Sequence, residues 1–228
     1  MANGKYAEYK HMVYECIIGL VRDGYVQGTG GNVSMRIPGT GLVAVTPSQV
    51  EYGVMSSDDI CVVDFDLKPQ GEAHYAPSME TPMHIAVYKN RMDVGAVVHT
   101  HQIYASVFSL INTPIPALFD EAANAIGTLV EVVPYGLSGS AQLLANVESR
   151  LGNRANCYIL QNHGALSLAP TLAKARRNAE LLEKSAKVYY FALSTGKPVT
   201  VLPDEVQDLL NQVMRATQDA EIAKKNVQ

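Results

Sequence analysis

The sequence predicts one α/β domain over residues 1–228, on three observations. Short apolar runs of strand length alternate with stretches whose apolar residues recur every three or four positions, the two periods that mark buried strands and amphipathic helices. No Pro- or Ser-rich linker, composition shift or internal repeat divides the chain, so nothing marks a domain boundary. Apolar residues make up 47% and charged residues 18%, which supplies a sizeable core and excludes a disordered or fibrous chain.

The elements follow in order. Within residues 5–24, Tyr6, Tyr9, Val13, Ile17, Leu20 and Val21 fall at helical spacing, and Gly24 stands where a C-terminal cap belongs. The loop Gly28-Thr29-Gly30-Gly31-Asn32 leads into a strand at 33–37, and the turn Pro38-Gly39-Thr40-Gly41 leads into another at 42–45, which together form a hairpin. Residues 60–64 read as a third strand, 81–89 as a helix and 94–101 as a buried strand. A helix at 103–110, a strand at 128–134 and a helix at 140–151 come next, the last started by a Ser140 cap and ended by Gly152. Residues 157–161 form another apolar strand. A long helix runs from Pro170 to about Thr195, a last helix follows Pro203-Asp204, and residues 224–228 are expected to fray.

Composition narrows the function classes. Eighteen Lys and Arg against 22 Asp and Glu leave a formal net charge of −4, without the basic excess that drives binding to a phosphate backbone, so no nucleic-acid partner is expected. The clean apolar run at 16–21 falls far short of the roughly 20 residues of a membrane span, and no anchor or export signal is visible, so no membrane partner is expected. Cys16, Cys61 and Cys157 are odd in number and widely spaced, which fits neither a disulfide framework nor a paired-cysteine metal site. A reducing cytoplasm is the expected location.

The chemistry-bearing residues sit at the ends of strands. His99 and His101 are two positions apart at the end of the buried strand and so project to one face, while His163 lies just past the strand at 157–161, where strand ends in an α/β sheet form a crevice. Three histidines with an open fourth position are the arrangement of a catalytic zinc site; the alternative is that some are hydrogen-bonded core or surface histidines. Glu80, in Pro77-Ser78-Met79-Glu80, stands at a helix start and is either a first-turn acid favoured by the helix dipole or a general acid/base beside a metal-bound substrate. His84, one turn on, is assigned to packing. The loop 28–32, Thr29 and Asn32 included, offers amides and short polar side chains able to hold an oxyanion or simply turn the chain. It follows a helix and opens a strand, the reverse of a dinucleotide fingerprint, and it lacks the lysine of a P-loop. Ser48 and Ser78 have no base at a recognisable spacing, so a serine hydrolase finds no support.

In order, Gly30-Gly31-Asn32-Val33-Ser34, Val45-Thr46-Pro47-Ser48, Pro77-Ser78 with Glu80 and His84, His99-Thr100-His101 and Asn162-His163-Gly164 resemble the class II aldolase/adducin-head family over roughly residues 5–205. The resemblance implies a three-layer α/β domain around a central, largely antiparallel sheet, assembled as a homotetramer with active sites at subunit interfaces. It implies that His99, His101 and His163 bind one Zn2+ per subunit, with Mn2+ or Co2+ as possible substitutes, and that Glu80 is the catalytic acid/base. It further implies that Asn32, with Gly31, Thr46, Ser48 and Ser78, lines a pocket for the phosphate of a sugar phosphate.

The expected activity is aldol cleavage of a ketose, phosphorylated at C1, to dihydroxyacetone phosphate and an aldehyde. Decarboxylation of a β-keto acid phosphate and C4 epimerisation are the alternatives within the family, and a metal-free scaffold like the adducin heads is the alternative outside catalysis. Two departures bear on substrate. Met79 stands where the family's fuculose enzymes have a second phosphate-binding serine, and Asp120 stands in place of their proton-donating tyrosine, with no tyrosine after Tyr190.

Overall fold

The computed structural model describes residues 4–71 and 74–226. Helix α1 (Ala7–Arg22) buries Val13, Ile17 and Leu20 along one stripe, each worth about 1.5–3 kcal/mol of apolar burial. It stops at Gly24, whose φ of +75° a residue with a side chain rarely adopts. Strands β1 (Asn32–Ile37) and β2 (Leu42–Val45) form the expected hairpin, and β3 (Cys61–Asp64) pairs with β2. Helix α2 (Thr81–Asn90) crosses back to β4 (Ala96–Thr100), and α3 (Ile103–Ile111) follows. Then come β5 (Ile115–Pro116), α4 (Asp120–Ile126), β6 (Leu129–Val130), β7 (Val132–Val133), α5 (Ala141–Glu148), β8 (Cys157–Leu160), β9 (Gly164–Ala169), α6 (Leu172–Ser194) and α7 (Asp204–Asn226).

Seven strands make the central sheet in the order β3-β2-β1-β4-β9-β8-β7. Every neighbouring pair is antiparallel except β7 with β8. Side-chain alternation sorts the strands onto two faces. Ala96 and Val98 of β4 pack with α1 and the first half of α6, whereas Val97 packs with α2 and α5. The remainder of α6 joins α3 and α4 over Ile159 and Ala165 on the α1 side. The result is the three-layer α/β arrangement with a mostly antiparallel sheet.

Four expectations are corrected. The strand predicted over 128–134 is two strands: β6 pairs with β5 in a separate two-stranded sheet, while β7 joins β8. The chain bends at Glu131 because each half finds its backbone partner in a different sheet. Strand β9 and helix α4 escaped the periodicity analysis, β9 because Gly, Ala and Ser dilute its strand signal, α4 because its seven residues span two turns. Helix α5 ends at Glu148 rather than near Gly152, and a short 3-10 turn takes over at Leu151–Asn153; its cap is the predicted one, with Ser140 Oγ accepting from the Leu143 N–H. Helix α7 does not fray at Lys224. It continues to Asn226, and Lys225 Nζ donates to the carbonyls of Met92, Asp93 and Val94. Residues 227–228 of that expectation lie outside the described residues. No helix among the described residues is long and apolar enough to cross a membrane.

Candidate active site

The parity of β4 and β1 builds the site. His99 shares the face of Val97, the face that α2 covers, and in the antiparallel register it lies directly opposite Asn32. Glu80 is the N-cap residue of α2, so its carboxylate arrives over the same face. His101 follows β4 immediately. His163 is delivered by the tight turn between β8 and β9, in which Asn162 takes a φ of +54°. Gly164 lets that turn close against the other two histidines: a Cβ there would lie 2.4 Å from the Thr100 carbonyl and 2.6 Å from the His101 ring. Gly31 does the same on the other flank. Its φ is +68°, and a Cβ would lie 2.7 Å from the His99 carbonyl.

The three imidazoles converge, with one ligand atom from each within 4.8 Å of the others. His99 Nε2 and His101 Nε2 are 3.0 Å apart. The Nδ1–H of His99 donates to the Ala165 carbonyl at 3.0 Å, which places the lone pair on Nε2, where a metal ligand needs it. Burial holds His99 down to about 4 and lowers His101 too, so both rings are neutral at pH 7. The His99 Nε2 lone pair also faces Glu80 Oε2 at 3.2 Å, and with the carboxylate ionised neither atom carries a proton, so the two repel unless a cation sits between them. The donor set therefore fits a divalent ion bound by three histidines.

Glu80 closes the fourth side. Its Oε2 lies 3.2 Å from His99 Nε2 and its Oε1 lies 3.3 Å from His163 Nε2. Asn32 Nδ2 donates to Oε2 at 2.7 Å and Ser138 Oγ donates to Oε1 at 2.8 Å. Burial works to raise the Glu80 carboxyl, but the His99 and His163 rings and the two donors outweigh it and hold it well below the usual carboxylate range. The side chain makes no cap hydrogen bond to its own helix. Its orientation is spent on the histidines, which the first-turn-acid reading does not account for.

The other predicted residues separate. An antiparallel bridge between Pro47 and Pro77 draws Thr46, Ser48 and Ser78 together, with Ser48 N–H donating to the Ala76 carbonyl and Ser78 N–H to the Thr46 carbonyl. Ser78 Oγ accepts from the Glu80 N–H and Thr46 Oγ1 from the Val33 N–H, both residues being buried, so each hydroxyl still has its own proton to donate. Thr29 is exposed on its loop. Gly30 spends its N–H on the Gln27 carbonyl inside its own turn. His84 is buried as assigned, bonded through Nδ1 to Ser34 Oγ at 2.7 Å. Asp120 is exposed at the start of α4, and Glu121 is engaged by Arg177 and Lys184. Ser138 was missed at the sequence level because no motif marks it; it lies in an irregular loop 58 residues from its partner.

Residues 11–190 match the family described as Class II Aldolase and Adducin N-terminal domain. The chain is 35% identical over 191 residues to 5-deoxy-D-ribulose 1-phosphate aldolase of Bacillus thuringiensis, covering 83% of this chain and 88% of that protein. It is 34% identical over 193 residues to L-fuculose phosphate aldolase of Escherichia coli, covering 85% and 87%. Among solved structures, an L-fuculose 1-phosphate aldolase superposes with a TM-score of 0.83 at 30% identity, covering 91% of this chain and 96% of that one. A Klebsiella pneumoniae protein whose description joins aldolase, epimerase and decarboxylase gives 0.80 at 25% identity, covering 89% and 97%. With the family matched over residues 11–190 and relatives 34–35% identical along most of their length, the chain belongs to the class II aldolase and adducin N-terminal domain family.

Proposed function

We propose that this protein is a metal-dependent class II aldolase that cleaves a ketose 1-phosphate between C3 and C4, releasing dihydroxyacetone phosphate and a short aldehyde. The observation that carries the reading is the close approach of three imidazoles, with the Nε2 lone pair of His99 set inward, beside a buried carboxylate that makes no cap to its helix. When bound through His99, His101 and His163, a divalent ion, Zn2+ in this reading with Mn2+ or Co2+ as substitutes, supplies Lewis-acid polarisation of the substrate's carbonyl and hydroxyl oxygens.

In cleavage, the C4 hydroxyl gives its proton to solvent water, its oxygen forms the aldehyde carbonyl as the C3–C4 bond breaks, and the electron pair of that bond spreads from C3 onto the C2 carbonyl. Glu80, ionised at rest, takes up a proton from water and hands it to C3, and in the synthetic direction it removes the same proton. Asn32 and Ser138 hold Glu80 on its two oxygens. Gly31, Ser48, the hydroxyls of Thr46 and Ser78, and Thr29 at the loop edge form the proposed phosphate cradle. Asn32 serves it with the second hydrogen of its amide, since the first goes to Glu80. The relatives named 5-deoxy-D-ribulose 1-phosphate aldolase and L-fuculose 1-phosphate aldolase support that substrate class.

Exposed Ile103, Leu110 and Ile111 of α3, with Tyr190 and Phe191 of α6, support self-association, which we propose to be a homotetramer with sites at subunit interfaces.

The test is direct. Protein purified without chelator is expected to carry about one divalent ion per chain, and His163→Ala to lose most of it. A triple alanine variant that binds as much metal as wild type overturns the site. Incubation of the zinc-loaded enzyme with dihydroxyacetone phosphate and a panel of aldehydes, read by NMR, is expected to give condensation products. Carbon dioxide release from a keto acid phosphate without condensation would establish decarboxylation instead.

A further inference from the structure

We infer that Ser138 is a positioning residue for Glu80: its hydroxyl, carried on the loop between β7 and α5, fixes the rotation of the Glu80 carboxylate and so sets which oxygen faces the reacting carbon. A carboxylate held on one oxygen alone turns about its terminal torsion, because that sp3–sp2 bond has broad, shallow wells. Asn32 holds Oε2 at 2.7 Å, and Ser138 Oγ holds Oε1 at 2.8 Å from the opposite side. With both donors in place the plane of the carboxylate is set, and one further lone pair on each oxygen remains for proton transfer.

The loop is built to hold that hydroxyl still. Asn146 Nδ2 donates to the carbonyls of Pro134 and Tyr135, both at 3.0 Å. Gln161, two residues before His163, accepts from the Tyr135 N–H at 3.0 Å. The histidine turn and the serine loop are therefore tied to each other. Ser140 N–H donates to the Leu137 carbonyl at 2.9 Å to close the turn that contains Ser138. Gly136 permits no side chain, since a Cβ would lie 2.5 Å from the Leu143 nitrogen. Ser138 itself is exposed, and among the described residues its side chain hydrogen-bonds to Glu80 alone. Neither core packing nor a helix cap accounts for it.

The kinetic arm of the test rests on the aldolase reading; the spectroscopic arm does not. In the metal-loaded enzyme, Ser138→Ala is expected to lower kcat roughly tenfold, as losing one hydrogen bond to a charged group does, with KM and metal content unchanged and with Ser138→Thr restoring most of the loss. A rise in KM at constant kcat would make Ser138 a substrate-binding residue and overturn the proposal. In protein labelled with 13C at glutamate Cδ, the Glu80 signal is identified by its loss in Glu80→Gln. Ser138→Ala is expected to move that signal and Ser138→Thr to return it, with no substrate present. An unmoved Glu80 signal overturns the proposal, whatever the enzyme is found to cleave. Absence of aldol activity in wild type with the signal shifting as expected overturns the aldolase reading alone.

Discussion

The two ends of strand β4 hold buried polar clusters that are finished to different degrees. At its start, Arg91 and Asp93 pair through two parallel bonds at 2.9 and 2.8 Å, and the guanidinium also donates to the Ala155 carbonyl and Asn156 Oδ1. Both side chains are 3% exposed, and each donor group of Arg91 has an acceptor. At its end, Asn32 Oδ1, His163 Nδ1 and His84 Nε2 are buried without a partner among the described residues, and His99 Nε2 stands 3.2 Å from Glu80 Oε2. Buried polar atoms in native proteins are almost always satisfied. The closed cluster is what a stable polar interior looks like, and the open one is poised for a ligand.

The largest effect that sharpens this contrast is on turnover. Glu80→Gln keeps the shape and removes the proton carrier, so kcat is expected to fall by roughly 10²–10⁴ while metal content and thermal midpoint stay near wild type. Unchanged turnover would put the base elsewhere.

At the closed end the damage goes to stability instead. Asp93→Ala leaves the Arg91 guanidinium buried without its counter-ion, which costs about 3–5 kcal/mol. Urea unfolding should show the loss, and metal content of the folded fraction should not move. If Asp93→Ala strips the metal, the two ends are coupled and the contrast fails.

Gly164→Ala tests how tightly the histidine turn is closed. The added methyl collides with the Thr100 carbonyl, so His163 must back away, and metal affinity is expected to fall about 10–100-fold, the range seen when ligand support is lost. Metal titration against a competing chelator would show it.

The smallest effect is on acid stability. Burial, with His99 nearby, pulls the fully buried His84 down from 6.5 to about 3. A histidine that the fold keeps neutral contributes its full share above about pH 6.5, and that share drains away as pH falls towards 3, by up to about 1.4 kcal/mol per pH unit. Chelator-treated protein should therefore lose stability as pH drops from 7 to 5, and His84→Gln should make that loss shallower. An unchanged slope would move the titration to other groups.

Much of this was legible in the order of residues. The hairpin at 33–45, the long helix after Pro170 and the Ser140 cap follow from periodicity and capping chemistry, which act within a few residues. The pairing of His99 with His101 follows from the strand repeat alone. The Gly-rich loop reads locally as an anion holder or a plain turn, yet Gly31 is required because a Cβ there would lie 2.7 Å from the His99 carbonyl, a contact 68 positions away that no local pattern encodes.

Local sequence determined which residue types stood ready: three histidines, one acid at a helix start, and hydroxyls in loops. Tertiary structure decided what they meet. The β1–β4 register placed Asn32 opposite His99, the two uses of segment 128–134 split one expected strand between two sheets, and the loop before α5 brought Ser138 onto Glu80. Periodicity records which face a side chain takes, because that depends on backbone geometry two to four residues long. Partners across a sheet are selected by the packing of the whole chain, so they appear only when it has folded.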